Sequence, residues 1–140
     1  MSNGKDFQPK IVAFCCENSG WLAAEAAARL ELGYPEKVEL IKLPCSGKID
    51  VLYFMKAMEK VDGVMILACQ KENCKFLKGN ERAKSRVLQT QRLLKEIGIE
   101  EDRVTIQYLA ANMGNKFVEI VQNMYDKVRE LGPNPGKVIK

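Results

Sequence analysis

The chain predicts an α/β domain built on an open parallel sheet of four strands with helices on both faces. Its length of 140 residues suits one domain. Four short apolar runs are each followed by a stretch of helical character, the order that yields parallel strands joined by crossover helices. The runs KIVAF and GVMILAC are continuously apolar, the pattern of strands covered on both sides.

Residues 1–9 are polar, carry Pro9 and read as an N-terminal arm. KIVAF is the first strand, and Asn18-Ser19-Gly20 is a turn and helix entry. An alanine-rich helix is expected from Trp21 to about Leu32, with Leu22, Ala26 and Leu30 on one face. Gly33 should end it, and Tyr34-Pro35 prevents its continuation. VELIKLP is the second strand, with Val38, Leu40 and Leu43 as core contacts, followed by the loop Pro44-Cys45-Ser46-Gly47. Asp50 is placed to cap a helix running through Met58, and Asp62-Gly63 turns the chain into GVMILAC. Gln70 to Gly79 is the longest polar insertion. A long helix from near Asn80 to Ile97 has Ala83, Val87, Thr90, Leu94 and Ile97 in register, with Gly98 as its stop. VTIQYLA is the fourth strand. The last helix, roughly Gly114 to Leu131, shows the apolar stripe Phe117, Ile120, Val121, Met124, Val128 and Leu131. Gly132-Pro133-Asn134-Pro135-Gly136 breaks regular structure, so 10–131 is the domain and 132–140 an extended tail. With right-handed crossovers this is a flavodoxin-like arrangement. Such sheets bind ligands beyond the carboxyl ends of their strands, where the strand order switches.

Composition narrows the chemistry. The chain has no histidine, which sets aside His-assisted hydrolases, imidazole-ligated zinc enzymes, His-ligated haem and Rieske clusters. The net charge of +4 is mild and its lysines and arginines are interspersed with acids, so no nucleic-acid footprint is indicated. The opening residues do not resemble a signal peptide. No apolar stretch approaches the roughly 20 residues needed to span a bilayer. A cytoplasmic protein without membrane insertion is therefore expected. There, cysteines tend to be ligands or redox groups.

Four of the five cysteines stand where a strand-like run ends or just beyond one: Cys16, Cys45, Cys69 and Cys74. Parallel strands would bring them to one sheet edge, the same edge at which such folds bind ligands. Cys15 is the best candidate for packing as a small hydrophobe, because strand alternation points it away from Cys16. There is no C-x-x-C, no ferredoxin run, no P-loop and no Gly-rich dinucleotide fingerprint. At the phosphatase-loop distance from each cysteine stand Trp21, Leu22, Val51, Lys75 and Asn80 rather than arginine. A four-thiolate site suited to iron–sulfur or zinc remains. Lys42, Lys48, Lys71, Lys75 and Lys78 lie near that edge, as a field for thiolates and an acidic partner or simply as solvated lysines. No base, nucleophile pair or substrate pocket is legible, which points to a non-catalytic subunit.

The segments KIVAFCCENSG, YPEKVELIKLPCSGKID, DGVMILACQKENCKFLKGNERAKSR and LLKEIGIEEDRV resemble the delta subunit of methyl-viologen-reducing hydrogenase, an iron–sulfur subunit that accompanies heterodisulfide-reductase-type complexes. PCSGKID and the C-x₄-C-x₄-GN pattern of Cys69, Cys74, Gly79 and Asn80 are the most specific pieces. The resemblance covers roughly residues 10 to 130. It implies a [2Fe–2S] cluster held by cysteines, passing electrons between a hydrogenase or similar dehydrogenase and a flavin-bearing heterodisulfide-reductase subunit. Family members usually carry a further cysteine where this chain has Ser19, which leaves Cys16, Cys45, Cys69 and Cys74 as the economical ligand set. A serine and a glutamate common in the family are replaced by Ala110 and Met113. Two rival readings stand beside this one. One is a thiol redox sensor using Cys15–Cys16 or Cys69–Cys74; the other is a zinc-stapled interaction domain.

Overall fold

The computed structural model describes residues 7–17, 19–34, 37–43, 50–69 and 79–136, with backbone alone at Cys69, Gly79 and Asn80. In chain order its elements are β1 (Ile11–Cys16), α1 (Gly20–Arg29), β2 (Val38–Leu43), α2 (Val51–Met58), β3 (Gly63–Cys69), α3 (Gly79–Glu96), β4 (Val104–Leu109) and α4 (Gly114–Leu131). The strands form one parallel sheet in the order β2-β1-β3-β4. The expected flavodoxin-like architecture is what the chain adopts.

Central strands are apolar throughout because both of their faces are covered. On one face Ile11, Ala13, Cys15, Met65 and Leu67 pack with Ala23 and Ala27 of α1 and Phe117, Val121 and Val128 of α4. On the other, Val12, Phe14, Ile66 and Ala68 meet Phe54 and Met58 of α2 and Val87 and Leu94 of α3. β2, at the sheet's edge, keeps Val38 buried and leaves Glu39, Ile41 and Lys42 exposed; charges on an outer strand discourage edge-to-edge pairing.

Helix ends follow local chemistry, with instructive exceptions. Asp50 caps α2 as expected, its carboxylate accepting from the N–H of Tyr53 at 3.3 Å. Gly98 ends the α3 segment in the left-handed region at φ 82°, with Ile99 N–H reaching back to Leu94 C=O at 2.9 Å. α1, however, stops at Arg29 rather than near Leu32. Glu31, at φ 57°, takes the left-handed position expected of Gly33, and Leu32 N–H bonds Ala27 C=O at 3.0 Å. The buried face of α1 also differs from the expected Leu22, Ala26 and Leu30. Ala26 is buried as expected, but beside it Ala23, Ala24 and Ala27 face the core, while Leu22 and Leu30 are exposed. Close approach explains this: a Cβ on Gly114 would lie 2.8 Å from the Ala27 nitrogen, so α1 meets α4 nearly backbone to backbone and only small residues fit. Ile97, expected in the α3 stripe, is exposed because the helix has already ended.

At the amino edge of the sheet a buried polar latch joins distant segments. Arg103 is fully buried. It donates to Asp62 C=O at 3.0 Å, Gly132 C=O at 2.8 Å, Pro133 C=O at 3.2 Å and the Glu100 carboxylate at 2.8 Å. The Asp62 carboxylate accepts from the N–H groups of Lys10 and Asn134, at 2.9 and 3.0 Å. Asn134, also buried, donates its amide to Met58 and Val61 C=O at 2.7 and 3.0 Å. Residues 132–136, read from their Gly and Pro as the start of an extended tail, are thus fastened to the domain.

Candidate functional site

From β1 the chain runs outward to β2, then returns to place β3 on β1's other side. The switch point therefore lies between β1 and β3 at their carboxyl ends, the place where open α/β sheets open a crevice. Cys16 is the last residue of β1 and Cys69 the last of β3. Register pairs Cys15 with Leu67, so Cys69 lies two residues further along the neighbouring strand. β2, whose Leu43 is register partner to Cys16, ends two residues before Cys45 in the sequence. Cys45 and Cys74 lie outside the described residues, as do Lys48, Lys71, Lys75 and Lys78. Of the four cysteines expected to act together, the described backbone brings Cys16 and Cys69 to the ends of adjacent strands. Among the described residues no group of three Cys, Asp or Glu side chains converges.

The vicinal cysteines part company. Cys15 is fully buried in the α1/α4 core cluster, and its thiol donates to Ala13 C=O at 3.6 Å. Burial, and secondarily the neighbouring Cys16, pushes its pKa up to about 12. Cys15 is a packing residue, as expected. Cys16 is also buried, and its carbonyl accepts from Ser19 N–H at 3.1 Å. The two are not joined in a disulfide.

Ser19 is the residue whose state the sequence does not reveal. It is the N-cap of α1, yet its side chain makes no capping bond. It is 2% exposed, and its hydroxyl has no hydrogen-bond partner among the described residues. A buried polar atom without a partner costs about 1–3 kcal/mol and calls for a reason. The first turn it opens is pressed against β3: a Cβ on Gly20 would lie 2.6 Å from Leu67 Cβ and 2.7 Å from Leu67 O. α1 therefore begins at the crevice between the strands that end in Cys16 and Cys69. Cysteines at the ends of adjacent strands, with a buried hydroxyl that has no partner among the described residues at the start of the helix between them, are residue types that fit a sulfur-ligated group.

Around this edge, Lys42 Nζ sits 5.3 Å from the centre of the Trp21 ring, within cation–π range, and Trp21 Nε1–H donates to Glu25 at 2.9 Å. Trp21 is partly packed against the core, Phe54 is wholly inside, and Tyr53 is exposed. Beyond β4, Ala110 N–H donates to the Met113 thioether sulfur at 3.5 Å. A groove of about 620 Å³ runs between β2 and α2, lined by Phe14, Ile41, Leu43, Tyr53, Lys56 and Lys60. No described helix is long and apolar enough to cross a membrane.

Fold and strand-end cysteines together define a class: a flavodoxin-like domain whose β1 and β3, flanking the switch point, each end in a cysteine. The chain belongs to the family of the methyl-viologen-reducing hydrogenase delta subunit, whose model matches residues 11–132. Among its relatives is the vhu iron-sulfur subunit of the F420-non-reducing hydrogenase of Methanocaldococcus jannaschii. It is 40% identical over 130 residues, covering 92% of this chain and 97% of the relative. The corresponding protein of Methanococcus maripaludis is 37% identical over 131 residues, covering 93% and 98%. A more distant match is one component of the ferredoxin:CoB-CoM heterodisulfide reductase of Methanosarcina mazei, 27% identical over 126 residues. There 89% of this chain aligns with 16% of a much longer protein.

Proposed function

We propose that this protein is a cytoplasmic electron-transfer subunit carrying one [2Fe–2S] cluster held by Cys16, Cys45, Cys69 and Cys74. It relays electrons between a hydrogenase or other dehydrogenase and a heterodisulfide-reductase-like flavoprotein. The observation that carries the reading is the placement of Cys16 and Cys69 at the ends of adjacent strands across the switch point. The relatives' designation as iron-sulfur subunits supports the cofactor. The Methanosarcina mazei relative supports the partner, because a segment resembling this chain is built into a heterodisulfide reductase component.

When bound, such a cluster accepts and releases one electron at a time. The chain's own residues do the rest. The thiolates of Cys16, Cys45, Cys69 and Cys74 would hold the group, β1 and β3 would set the backbone spacing of Cys16 and Cys69, and the buried strands beneath would exclude water. Anaerobic purification tests the proposal: about two irons and two sulfides per chain are expected. Cys45→Ala and Cys69→Ala should lose the iron, and Cys15→Ala should keep it. Full iron retention in the Cys69 variant contradicts the ligand assignment. Colourless protein with zinc would establish the staple instead, and metal-free protein with reversibly titrating thiols would establish the sensor.

A further inference from the structure

We propose that Ser19 is a positioning residue that donates its hydroxyl hydrogen to anionic sulfur held at the β1–β3 crevice, favouring the reduced form of the bound group. The inference rests on the iron–sulfur reading above. Serine at a helix N-cap ordinarily turns its oxygen back to accept from the second or third N–H of the helix. Ser19 does not: at φ −145° and ψ −76° it makes no capping bond. Its hydroxyl, in a residue 2% exposed, has no hydrogen-bond partner among the described residues. Among the described residues nothing takes up this hydroxyl hydrogen, which lies at a buried position three residues from Cys16, whose carbonyl already anchors the Ser19 backbone.

The helix behind it points the same way. Ala23 N–H makes the first intrahelical bond, to Ser19 C=O at 2.8 Å, so the N–H groups of Gly20, Trp21 and Leu22 have no intrahelical acceptor. These groups carry the positive end of the α1 dipole. Contact of Gly20 with Leu67, two residues before Cys69, fixes that end at the crevice. One hydroxyl donor and one positive helix end thus meet where sulfur would gain negative charge on reduction. Donors aimed at sulfur raise a cluster's reduction potential, because the interaction strengthens as an electron is added.

The test uses anaerobically isolated full-length protein with its native cluster, as parent, Ser19→Ala and Ser19→Thr. Each is titrated with dithionite against mediator dyes and followed by EPR. Deuteron couplings are read by ENDOR after exchange into D2O. Ser19→Ala should keep its iron and sulfide and lose one exchangeable coupling. Its reduction equilibrium should weaken about tenfold, a fall of about 59 mV for a one-electron couple. Ser19→Thr, which keeps the hydroxyl, should retain the coupling. Unchanged potential and couplings in a fully loaded Ser19→Ala protein overturn this inference alone. Loss of iron from Ser19→Ala would make the oxygen a ligand and overturn the donor role. Parent protein without iron or sulfide overturns the iron–sulfur reading itself.

Discussion

Replacing Arg103 with alanine withdraws a guanidinium that no water reaches and that holds three segments of the chain together. Its contacts set the scale. Nη1 to Asp62 C=O at 3.0 Å is a buried bond and Nη2 to Gly132 C=O at 2.8 Å a part-buried one; such bonds from a charged donor are each worth about 1.5–3 kcal/mol. The Glu100 contact adds little, because that side chain is 41% exposed and solvent screens such pairs. Loss of both carbonyl bonds, with the Asp62 acceptor left buried and the Gly132 acceptor partly so, gives about 3–5 kcal/mol. With a urea m-value of about 2 kcal/mol/M for a domain of this size, the midpoint should fall by roughly 1.5–2.5 M. Arg103→Lys should recover only part, since an ammonium lacks the fork that reaches both carbonyls. Hydrogen exchange supplies a local check: Asn134 N–H, bonded to Asp62 at 3.0 Å, should lose protection along with Gly136 N–H, bonded to Asn134 at 2.9 Å. A midpoint for Arg103→Ala corresponding to less than about 1 kcal/mol of destabilisation would refute the idea that this side chain carries the latch.

Three further outcomes follow from particular residues. Gly114→Ala should destabilise by about 1–3 kcal/mol, because the new Cβ meets the Ala27 nitrogen at 2.8 Å; thermal melts report it, and a neutral result would mean that α1 and α4 separate easily. Glu31→Gly should stabilise by about 0.5–1 kcal/mol, because the native residue sits at φ 57°; a lower urea midpoint would contradict that. The Arg103 hydrogen bond holds the Glu100 carboxyl below the ordinary glutamate range, against an opposing push from burial. Its contribution is present above the ordinary glutamate pKa and lost as pH falls through the lowered one. Glu100→Gln should therefore lie below the parent by less than about 1 kcal/mol at pH 7 and converge with it in acid, as urea titrations at several pH values would show.

Strands and helix order are legible in the sequence because each signal is local. KIVAF and GVMILAC are apolar wherever they are placed, and Asp50 and Gly98 act within their own turns. What stays hidden depends on neighbours distant in sequence. Periodicity misjudges the face that α1 buries because it ranks leucine above alanine. Only the approach of Gly114 reveals that there is no room for leucine. Likewise Gly33 looks like the natural stop, whereas the left-handed residue is Glu31, held by the bond from Leu32 to Ala27. Arg103 and Asn134 look like surface residues, and their partners lie up to 76 positions away. At the candidate site, Cys16 and Cys69 are readable from where strands end. The orphaned hydroxyl of Ser19 is not, because a serine before a helix normally signals a cap.

The Arg103 latch closes the sheet at the end opposite Cys16 and Cys69. Mechanical integrity and the proposed redox site thus occupy different poles of one small body. If the proposed cluster sits at that end, variation there would retune affinity or potential without loosening the girdle that keeps the strands in register. For an experimenter, this makes the rim open to redesign.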